Sequence, residues 1–314
     1  MLKNSGTVSV EGTLSLPLPV DTHVHLSLGG DPVANAGLHL AAGVAAVRDA
    51  GDRDGCLAGI AWPEPLKVVR TGPALFKNGF YGSFIGDNRE LSLAEKISST
   101  PDGFVKVLLT GLVSFDEYGR IGPRQWNFDE LKEIVRLAAQ AGRRVMVHVN
   151  SDAACRDAVR AGAASLEHGY FIAPDTLQLM AEKEVFWTPT VAAMANQVND
   201  PAGRFTPAQV AIIERNYKRH LEMIAYAHEI GVRLTIGTDS GSYNVPHGAS
   251  FRREMELFVE AGIPVFEVLR IASINGRQLL GLVSEPLVEV VPGCQPADFL
   301  ELSRQVLTQL SNPK

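Results

Sequence analysis

The chain has few cysteines, a small net charge and no long apolar run. Its three cysteines, Cys56, Cys155 and Cys294, are far apart, and none has a second cysteine at metal-ligand spacing. They outline no disulfide framework, so we expect three packing residues and a reducing, cytoplasmic location. The formal net charge of -6 argues against nucleic acid or an anionic membrane as the main partner.

No apolar run approaches the roughly 18–20 residues that span a bilayer, and the start of the chain lacks the apolar core of an export signal. The 314 residues are 46% hydrophobic and 20% charged, a composition typical of a globular protein with a large core. We therefore expect a small-molecule substrate as the partner, and the sequence leaves open whether the chain forms a homo-oligomer.

Short β-type runs alternate with helical segments along the chain. Eight runs have the character of strands, at 16–22, 44–48, 66–71, 104–109, 144–149, 164–167, 185–190 and 233–238. Between them, apolar residues recur at helical spacing, as at 129–141, 152–161, 175–184 and 207–230. Gly142, Gly162 and Gly231 each follow a helix, where left-handed backbone is favoured. Eight strands alternating with helices predict a (β/α)8 TIM barrel of parallel strands.

Both ends of the chain carry β-like runs outside this alternation. Residues 7–14 alternate in polarity, and residues 286–302 contain two β-like runs around a Pro-Gly turn, beyond helical segments at 251–261 and 265–280. We expect the two ends to form a small β appendage beside the barrel. The predicted division is 1–15 for its first part, 16–281 for the barrel and 282–314 for its second part.

Polar side chains cluster where the predicted strands end. Six lie at or near these ends: His23, His25, Lys106, His148, His168 and Asp239. The two histidines after the first strand are two residues apart and therefore project from the same face. Barrels of this kind carry their chemistry at the carboxyl ends of the strands. Imidazole and carboxylate are ligands of zinc and similar divalent ions, so the set predicts a metal site.

Each of these residues also has a purely structural interpretation. The paired histidines could lie on the surface, His148 could be a hydrogen-bonded core residue, and His168 could belong to a turn. Asp239, before Ser-Gly, could form an Asx-turn or cap a helix. Lys106 lies in a run that is apolar on both faces, where an ammonium group must be paired or neutralised. The occurrence of all six at one end of one barrel favours the metal site.

The motifs, in this order, resemble those of the amidohydrolase superfamily, in the branch of imidazolonepropionase-like proteins and metal-dependent prolidases. The resemblance covers about residues 20–302 and rests on Asp21-Thr-His-Val-His25, Val47-Arg-Asp-Ala-Gly51, Val105-Lys-Val107, Val147-His148, Leu166-Glu-His-Gly169, Thr188-Pro-Thr190 and Gly237-Thr-Asp-Ser-Gly241. It implies a distorted barrel that holds two divalent metal ions. Zinc is the first candidate, and manganese, cobalt and iron tolerate the same ligands.

The resemblance also implies a role for each ligand. His23, His25 and Asp239 would bind the more buried ion, His148 and His168 would bind the second, and the CO2-derived carbamate of Lys106 would bridge the two. Carbamylation turns a buried cation into an anion that two cations can hold, which answers the problem of a lysine in an apolar run.

The implied enzyme is a metal-dependent hydrolase of a C–N bond in a small amide, cyclic amide or dipeptide-like molecule. A hydroxide shared by the ions attacks the carbonyl, and Asp239 takes its proton and delivers it to the leaving group. Three alternatives stay open. A lactonase or esterase would use the same hydroxide, a mononuclear deaminase would leave Lys106 unmodified, and a metal-binding barrel would lack turnover.

The loop after the third strand departs from the resemblance. Relatives often have Gly-Gly-His where this chain has Asn78-Gly-Phe-Tyr-Gly82. Four residues are candidate substrate contacts at the rim: Lys77, Tyr81, Tyr170 and His247. Each could equally be a solvated loop residue. We expect Arg48 and Asp49 to form an internal ion pair with each other near the barrel mouth.

Overall fold

Ten strands carry the architecture in the computed structural model, which describes residues 13–200, 202–283 and 286–311. They are β1 (Leu14–Pro17), β2 (Val20–Val24), β3 (Ala46–Asp49), β4 (Lys67–Arg70), β5 (Phe104–Leu108), β6 (Arg144–Ser151), β7 (Ser165–Phe171), β8 (Phe186–Thr188), β9 (Arg233–Leu234) and β10 (Leu287–Val290). Strands β2 to β4 form one parallel sheet, and β5 to β9 form a second. These eight parallel strands correspond to the eight predicted ones.

Backbone hydrogen bonds join the two sheets at both edges. Beyond β4, the amide of Leu75 donates to the carbonyl of Lys106 at 2.8 Å, and the amide of Leu108 donates to the carbonyl of Leu75 at 3.0 Å. At the other edge, the amide of Thr22 donates to the carbonyl of Ile236 at 2.9 Å. The fold is a distorted (β/α)8 barrel, as predicted, with short strands and irregular junctions.

Helices follow most of the barrel strands. They are α1 (Pro32–Ala41), α2 (Leu93–Ser98), α3 (Phe128–Gln140), α4 (Asp152–Ala161), α5 (Pro174–Glu182), α6 (Ala192–Ala195), α7 (Pro207–Glu229), α8 (Ala249–Glu260), α9 (Val265–Arg270), α10 (Gly276–Leu280) and α11 (Pro296–Ser311). A π-helical turn, Ile271–Asn275, joins α9 to α10. Local chemistry sets the boundaries of these helices. Asn127 and Glu130 form a reciprocal capping box at the start of α3, and Gly162 ends α4 with φ of 96°.

The appendage is only partly a sheet. Strand β1 pairs antiparallel with β10, so residues 14–17 and 287–290 form a two-stranded sheet. The second β-like run of the C-terminal segment is helical instead, in α11. Its buried Phe299, Ser303 and Leu307 recur every four residues, which is the spacing of a helix face and not of a strand. Residues 7–12 of the expected N-terminal run lie outside the described residues.

The barrel separates apolar from polar side chains along its axis. A buried apolar cluster includes residues from the amino-terminal halves of five strands: Val20, Ala46, Phe104, Met146 and Phe186. The four candidate ligand histidines and Asp239 lie farther along the strands or in the segments that follow them. This separation leaves one end of the barrel for packing and the other for chemistry.

Two expectations about the chain's environment can be compared with the structure. Among the described residues, no helix is both long enough and apolar enough to cross a bilayer. The cysteines are unpaired, as expected, but Cys56 is exposed, and only Cys155 is fully buried. The interpretation of all three as packing residues was therefore wrong for Cys56, which lies next to a short helical turn at Arg53–Gly55.

Candidate metal centre

Three of the predicted ligands meet at one point. His23 belongs to β2, His25 follows that strand, and Asp239 follows β9. The Oδ1 atom of Asp239 lies 3.2 Å from Nε2 of His25 and 3.5 Å from Nε2 of His23. One donor atom from each of the three residues lies within 4.8 Å of the other two. Such a cluster of two imidazoles and a carboxylate is a ligand set for a divalent ion.

The other three predicted ligands adjoin this group. The ring centroids of His148 and His168 are 4.5 Å apart, and those of His168 and His23 are 4.9 Å apart. Lys106, in β5, lines the same cavity as His148, His168 and Asp239. The structure thus brings together all six side chains that the sequence singled out, from five separate stretches of the chain.

Hydrogen bonds to the far ring nitrogens orient two of the histidines. Nδ1 of His23 lies 2.8 Å from a carboxylate oxygen of Glu167, and Nδ1 of His168 lies 2.7 Å from Oγ1 of Thr190. The Thr190 hydroxyl donates to the carbonyl of Pro189, so it accepts from the imidazole N–H. In both rings, Nε2 is then the nitrogen left for a metal, an arrangement typical of metal-binding histidines.

Glu167 is a functional residue that the sequence analysis missed. Its other oxygen accepts from Nη2 of Arg48 at 2.9 Å, so a buried chain of contacts runs from Arg48 through Glu167 to His23. The expected ion pair of Arg48 with Asp49 is wrong. Neighbouring residues of a strand point to opposite faces, and Asp49 instead accepts from the backbone amides of Leu26 and Gly51. A buried glutamate next to a histidine in the β7 motif was the available signal.

Asp21 positions the segment that carries Asp239. Its carboxylate accepts from the amide of Thr238 at 3.0 Å and from the Thr238 hydroxyl at 2.8 Å. The amide of Asp239 itself donates to the carbonyl of His23 at 2.8 Å. These bonds tie the end of β9 to β2, and they hold Asp239 with a φ of 61°, a backbone conformation that non-glycine residues rarely adopt.

Burial sets the protonation states that metal binding needs. Burial and the nearby Lys106 lower the pKa of His148 to about 3 and that of His23 well below its usual value. Burial and the other imidazoles lower the pKa of His168 in the same direction. The imidazoles of His23, His148 and His168 are therefore neutral near pH 7. Burial opposes ionisation of Asp239, but the hydrogen bond with His25 and the charge of Lys106 still lower the pKa of Asp239 to about 2. Neutral imidazole and ionised carboxylate are the ligating forms.

Two buried atoms show that these residues fit metal ions. Nε2 of His23 and Nζ of Lys106 are fully buried, and neither has a hydrogen-bond partner among the described residues. Buried polar atoms are rarely left unsatisfied, because burial without a partner costs about 1–3 kcal/mol. Nε2 of His23 lies 3.5 Å from Oδ1 of Asp239, so a cation bound by these two residues would give this nitrogen a partner. Lys106 lines the cavity that Asp239 also lines, where an anionic form of its side chain could meet such a cation.

The cluster opens into a cavity of about 600 Å³. Tyr81 and Tyr170, two of the predicted rim residues, line it. The Tyr81 ring lies 5.4 Å from that of His148, and the Tyr170 hydroxyl donates to the carbonyl of Thr190. The cavity walls are mostly apolar, which is typical of sites for small organic molecules.

The other two rim candidates do not line this cavity. Nζ of Lys77 is 2.6 Å from a carboxylate oxygen of Glu130 and lies over the Trp126 ring. His247 uses both ring nitrogens, one within 2.9 Å of the Leu28 carbonyl oxygen and the other within 3.2 Å of Nε2 of His39. The structure therefore places Lys77 and His247 in structural contacts outside the cavity.

The structure is a (β/α)8 barrel with a cluster of candidate metal ligands near its strand ends, and sequence comparison identifies the family. The profile of the amidohydrolase family matches residues 19–285. The chain therefore belongs to that family and is a hydrolase of C–N bonds, as the motifs predicted. A Mycobacterium tuberculosis protein described as uncharacterized is 29% identical over 286 residues, covering 86% of this chain and 75% of its own. The Aspergillus niger ochratoxinase is 26% identical over 208 residues, covering 66% of this chain and 42% of its own.

Solved structures of similar fold include two enzymes with named activities. A Xaa-Pro dipeptidase with bound methionine superposes with a TM-score of 0.71 at 20% identity, covering 92% of this chain and 83% of its own. The A. niger ochratoxinase superposes with a TM-score of 0.70 at 21% identity, covering 92% of this chain and 79% of its own. At these identities the likeness supports the barrel fold.

Proposed function

We propose that the protein is a metal-dependent hydrolase that cleaves the C–N bond of a small amide, cyclic amide or dipeptide-like molecule with two divalent ions. The observation that carries this proposal is the contact of His23 and His25 with Asp239, together with two buried nitrogens, His23 Nε2 and Lys106 Nζ, that have no hydrogen-bond partner among the described residues. The names of the relatives, an ochratoxinase and a Xaa-Pro dipeptidase, add support for an amide substrate.

The residues divide into two ligand groups. His23, His25 and Asp239 would hold one ion, and His148 and His168 would hold the second. Ions bound there supply Lewis acidity, which lowers the pKa of a water molecule and polarises the substrate carbonyl. Zinc suits imidazole and carboxylate ligands, and manganese, cobalt and iron are the alternatives to test.

Lys106 would bridge the two groups as its carbamate. Its nitrogen is buried and has no hydrogen-bond partner in the part of the chain that the structure describes, and burial lowers the pKa of the amine to about 8 despite the nearby Glu167 and Asp239. The neutral amine is the form that attacks the carbon of CO2, and the adduct loses one proton to become an anion. This change converts an uncompensated buried cation into a group that two cations stabilise.

Asp239 is the residue placed to move protons. Its side chain is 15% exposed, whereas those of His23 and His25 are 0% and 7% exposed, so among these three it opens most to the cavity. We assign it the proton of the attacking water, which it passes to the leaving nitrogen as the C–N bond breaks. Transfer to nitrogen converts a poor leaving group into a neutral amine.

The test is a screen of the protein reconstituted separately with zinc, manganese and cobalt. N-acyl amino acids, Xaa-Pro dipeptides, hydantoin-like rings and lactones are assayed, and metal content is measured on the same samples. We expect amide hydrolysis at two ions per chain. Activity on lactones alone would indicate an esterase. Full activity at one ion per chain would remove the bridging role of Lys106, and two bound ions without any turnover would indicate a metal-binding barrel.

A further inference from the structure

The outer part of the cavity carries a cation that the ligand cluster does not use. Arg204 lies in the loop between α6 and α7 and lines the cavity together with Tyr243 and Phe205. Its guanidinium carbon is 4.5 Å from the centre of the Tyr243 ring and 5.7 Å from that of Phe205. Stacking of this kind orients a guanidinium group without using its N–H donors.

Arg204 has no ion-pair partner among the described residues. The nearest candidate acid in sequence, Asp200, is already engaged with the loop. Its carboxylate accepts from the Tyr243 hydroxyl at 2.7 Å and from the amide of Phe205 at 3.0 Å. The donors of Arg204 are therefore available to a molecule in the cavity.

Hydrogen bonds hold Tyr243, the residue on which Arg204 stacks, at several points. The Gln197 amide donates to the carbonyl of Tyr243 at 2.7 Å. Asn196 and Asn244 exchange side-chain to backbone hydrogen bonds at 2.9 and 2.7 Å. Tyr243 is thus held at its hydroxyl by Asp200 and at its backbone carbonyl by Gln197, and the next residue, Asn244, is held by Asn196. A ring held in this way gives the cation a defined position.

The rest of the cavity wall is largely aromatic and aliphatic. Its apolar residues include Leu28, Tyr81, Phe84, Ile85, Leu112 and Met194. The charged groups on the wall are Lys106 and Asp239 in the ligand cluster and Arg204 outside it. Lys106 is 1% exposed, whereas Arg204 is an exposed residue, so Arg204 lies toward the mouth and the cluster lies deep. A bound molecule would contact apolar walls between the two.

We propose that Arg204 binds a carboxylate of the substrate, so that the enzyme selects amides whose apolar or aromatic body carries a free carboxylate. This inference rests on the proposed hydrolase function and names its substrate class. The planar guanidinium matches carboxylate or phosphate oxygens. Arg204 is the one cation without an ion-pair partner on the described outer wall. Its single positive charge balances a carboxylate monoanion, whereas a phosphate dianion would keep one negative charge unbalanced. A carboxylate is therefore the anion that this wall fits.

Binding can be tested without turnover. Dansyl-phenylalanine and dansyl-phenethylamine share an apolar body, differ by one carboxylate and carry a sulfonamide, so neither contains a carboxamide C–N bond. We expect the protein to bind the acid about tenfold to a hundredfold more tightly, the range of a charge-assisted hydrogen bond. Fluorescence titration measures both affinities. Dansyl-phenylalanine phosphonate serves as the dianionic comparison, and tighter binding of this probe than of the acid would overturn the carboxylate assignment.

Substitution of Arg204 shows whether this residue causes the preference for the acid. In Arg204→Gln the preference for the acid should disappear, and in Arg204→Lys it should weaken, because lysine lacks the planar fork. Arg160→Gln, an exposed arginine on α4, is the matched control and should keep the preference. Thermal unfolding checks that each variant is folded. Equal binding of dansyl-phenylalanine and dansyl-phenethylamine by the native chain, or a preference that survives Arg204→Gln, would overturn the proposal.

Kinetics separate this inference from the proposed function. With N-benzoyl-phenylalanine and its carboxamide as substrates, Arg204→Gln should raise KM for the acid about tenfold and leave kcat unchanged. Hydrolysis of both substrates with equal KM in the native chain would overturn the anchor and keep the hydrolase. If the protein prefers the dansyl probe with a carboxylate but hydrolyses no amide, the proposed hydrolase is overturned and the carboxylate anchor is kept.

Discussion

The ligand cluster and the outer wall of the cavity are built from different parts of the fold. The cluster belongs to β2, β5, β6 and β7 and to the segment after β9, where ladder hydrogen bonds set each position. The outer wall comes from connecting segments, and Phe84, Leu112 and Tyr243 are 41%, 53% and 38% exposed there. Strand ends hold side chains rigidly, whereas loops tolerate change. Chemistry and substrate choice should therefore respond to separate mutations.

Of the substitutions that separate the ligand cluster from the outer wall, Asp239→Asn should lower kcat the most. The amide keeps the shape of the side chain and one ligand oxygen but no longer accepts and returns a proton. We expect kcat to fall about 1,000-fold with metal still bound, within the range for loss of a general acid–base group. Steady-state kinetics and elemental analysis measure the two quantities. Asp175→Asn, an exposed aspartate on α5, is the control. Near-normal turnover would exclude Asp239 as the proton carrier.

Lys106→Met should affect metal content as well as rate. Methionine fills the volume in β5 but forms no carbamate, so the two ligand groups lose their bridge. We expect one ion per chain in place of two and a fall in kcat of about 100-fold or more. Native mass spectrometry of the protein without the substitution, in bicarbonate buffer, should show a mass increment of one CO2. This increment should be absent from Lys106→Met. Two tightly bound ions in the variant would contradict the bridge.

Thr190→Val tests whether contacts behind the cluster matter. The substitution keeps the branched shape and removes the oxygen that accepts from Nδ1 of His168. Loss of such an orienting partner typically lowers metal affinity about 10- to 100-fold. Competition with a metal indicator measures it. Thr190→Ser retains the hydroxyl and should stay near the native affinity, and equal affinities in the two variants would show that the hydroxyl does not orient the ring.

Lys77→Met should have the smallest effect. Lys77 pairs with Glu130, and both side chains are about one-third exposed, at 32% and 37%. Such pairs contribute about 0–1 kcal/mol to folding, so we expect a small shift in Tm and kcat/KM within about twofold of native. Lys132→Met, on the exposed face of α3, is the matched control. A tenfold rise in KM confined to Lys77→Met would restore Lys77 as a substrate contact.

Sequence patterns predicted the barrel well, with errors that have local causes. The first predicted strand, 16–22, spans the end of β1 and the start of β2, because Pro17 and Pro19 interrupt the backbone ladder there. Proline lacks the N–H that a ladder needs. The C-terminal helix α11 was taken for a strand because its first apolar residues, around Phe299, alternate over too few positions to show their helical period.

The candidate metal ligands were predictable because each lies at or near a strand end in a recognisable string. The roles of Glu167 and Thr190 were not, since they depend on contacts with residues elsewhere in the chain. Glu167 reaches His23 from 144 positions later in the chain, and Thr190 reaches His168 across two neighbouring strands. The motif around His168 marked the position of Glu167, but no local pattern showed which residue either side chain contacts.

The sequence by itself determined the class of fold, the family and the six ligand candidates, because periodicity and short motifs are local properties of the chain. The tertiary structure alone decided how these groups are used. It showed that Arg48 pairs with Glu167 and that His247 and Lys77 lie outside the cavity. It also showed that Arg204 lies on the cavity wall without an ion-pair partner among the described residues. These facts depend on which loops and strand faces meet in space, and only the packed barrel specifies that.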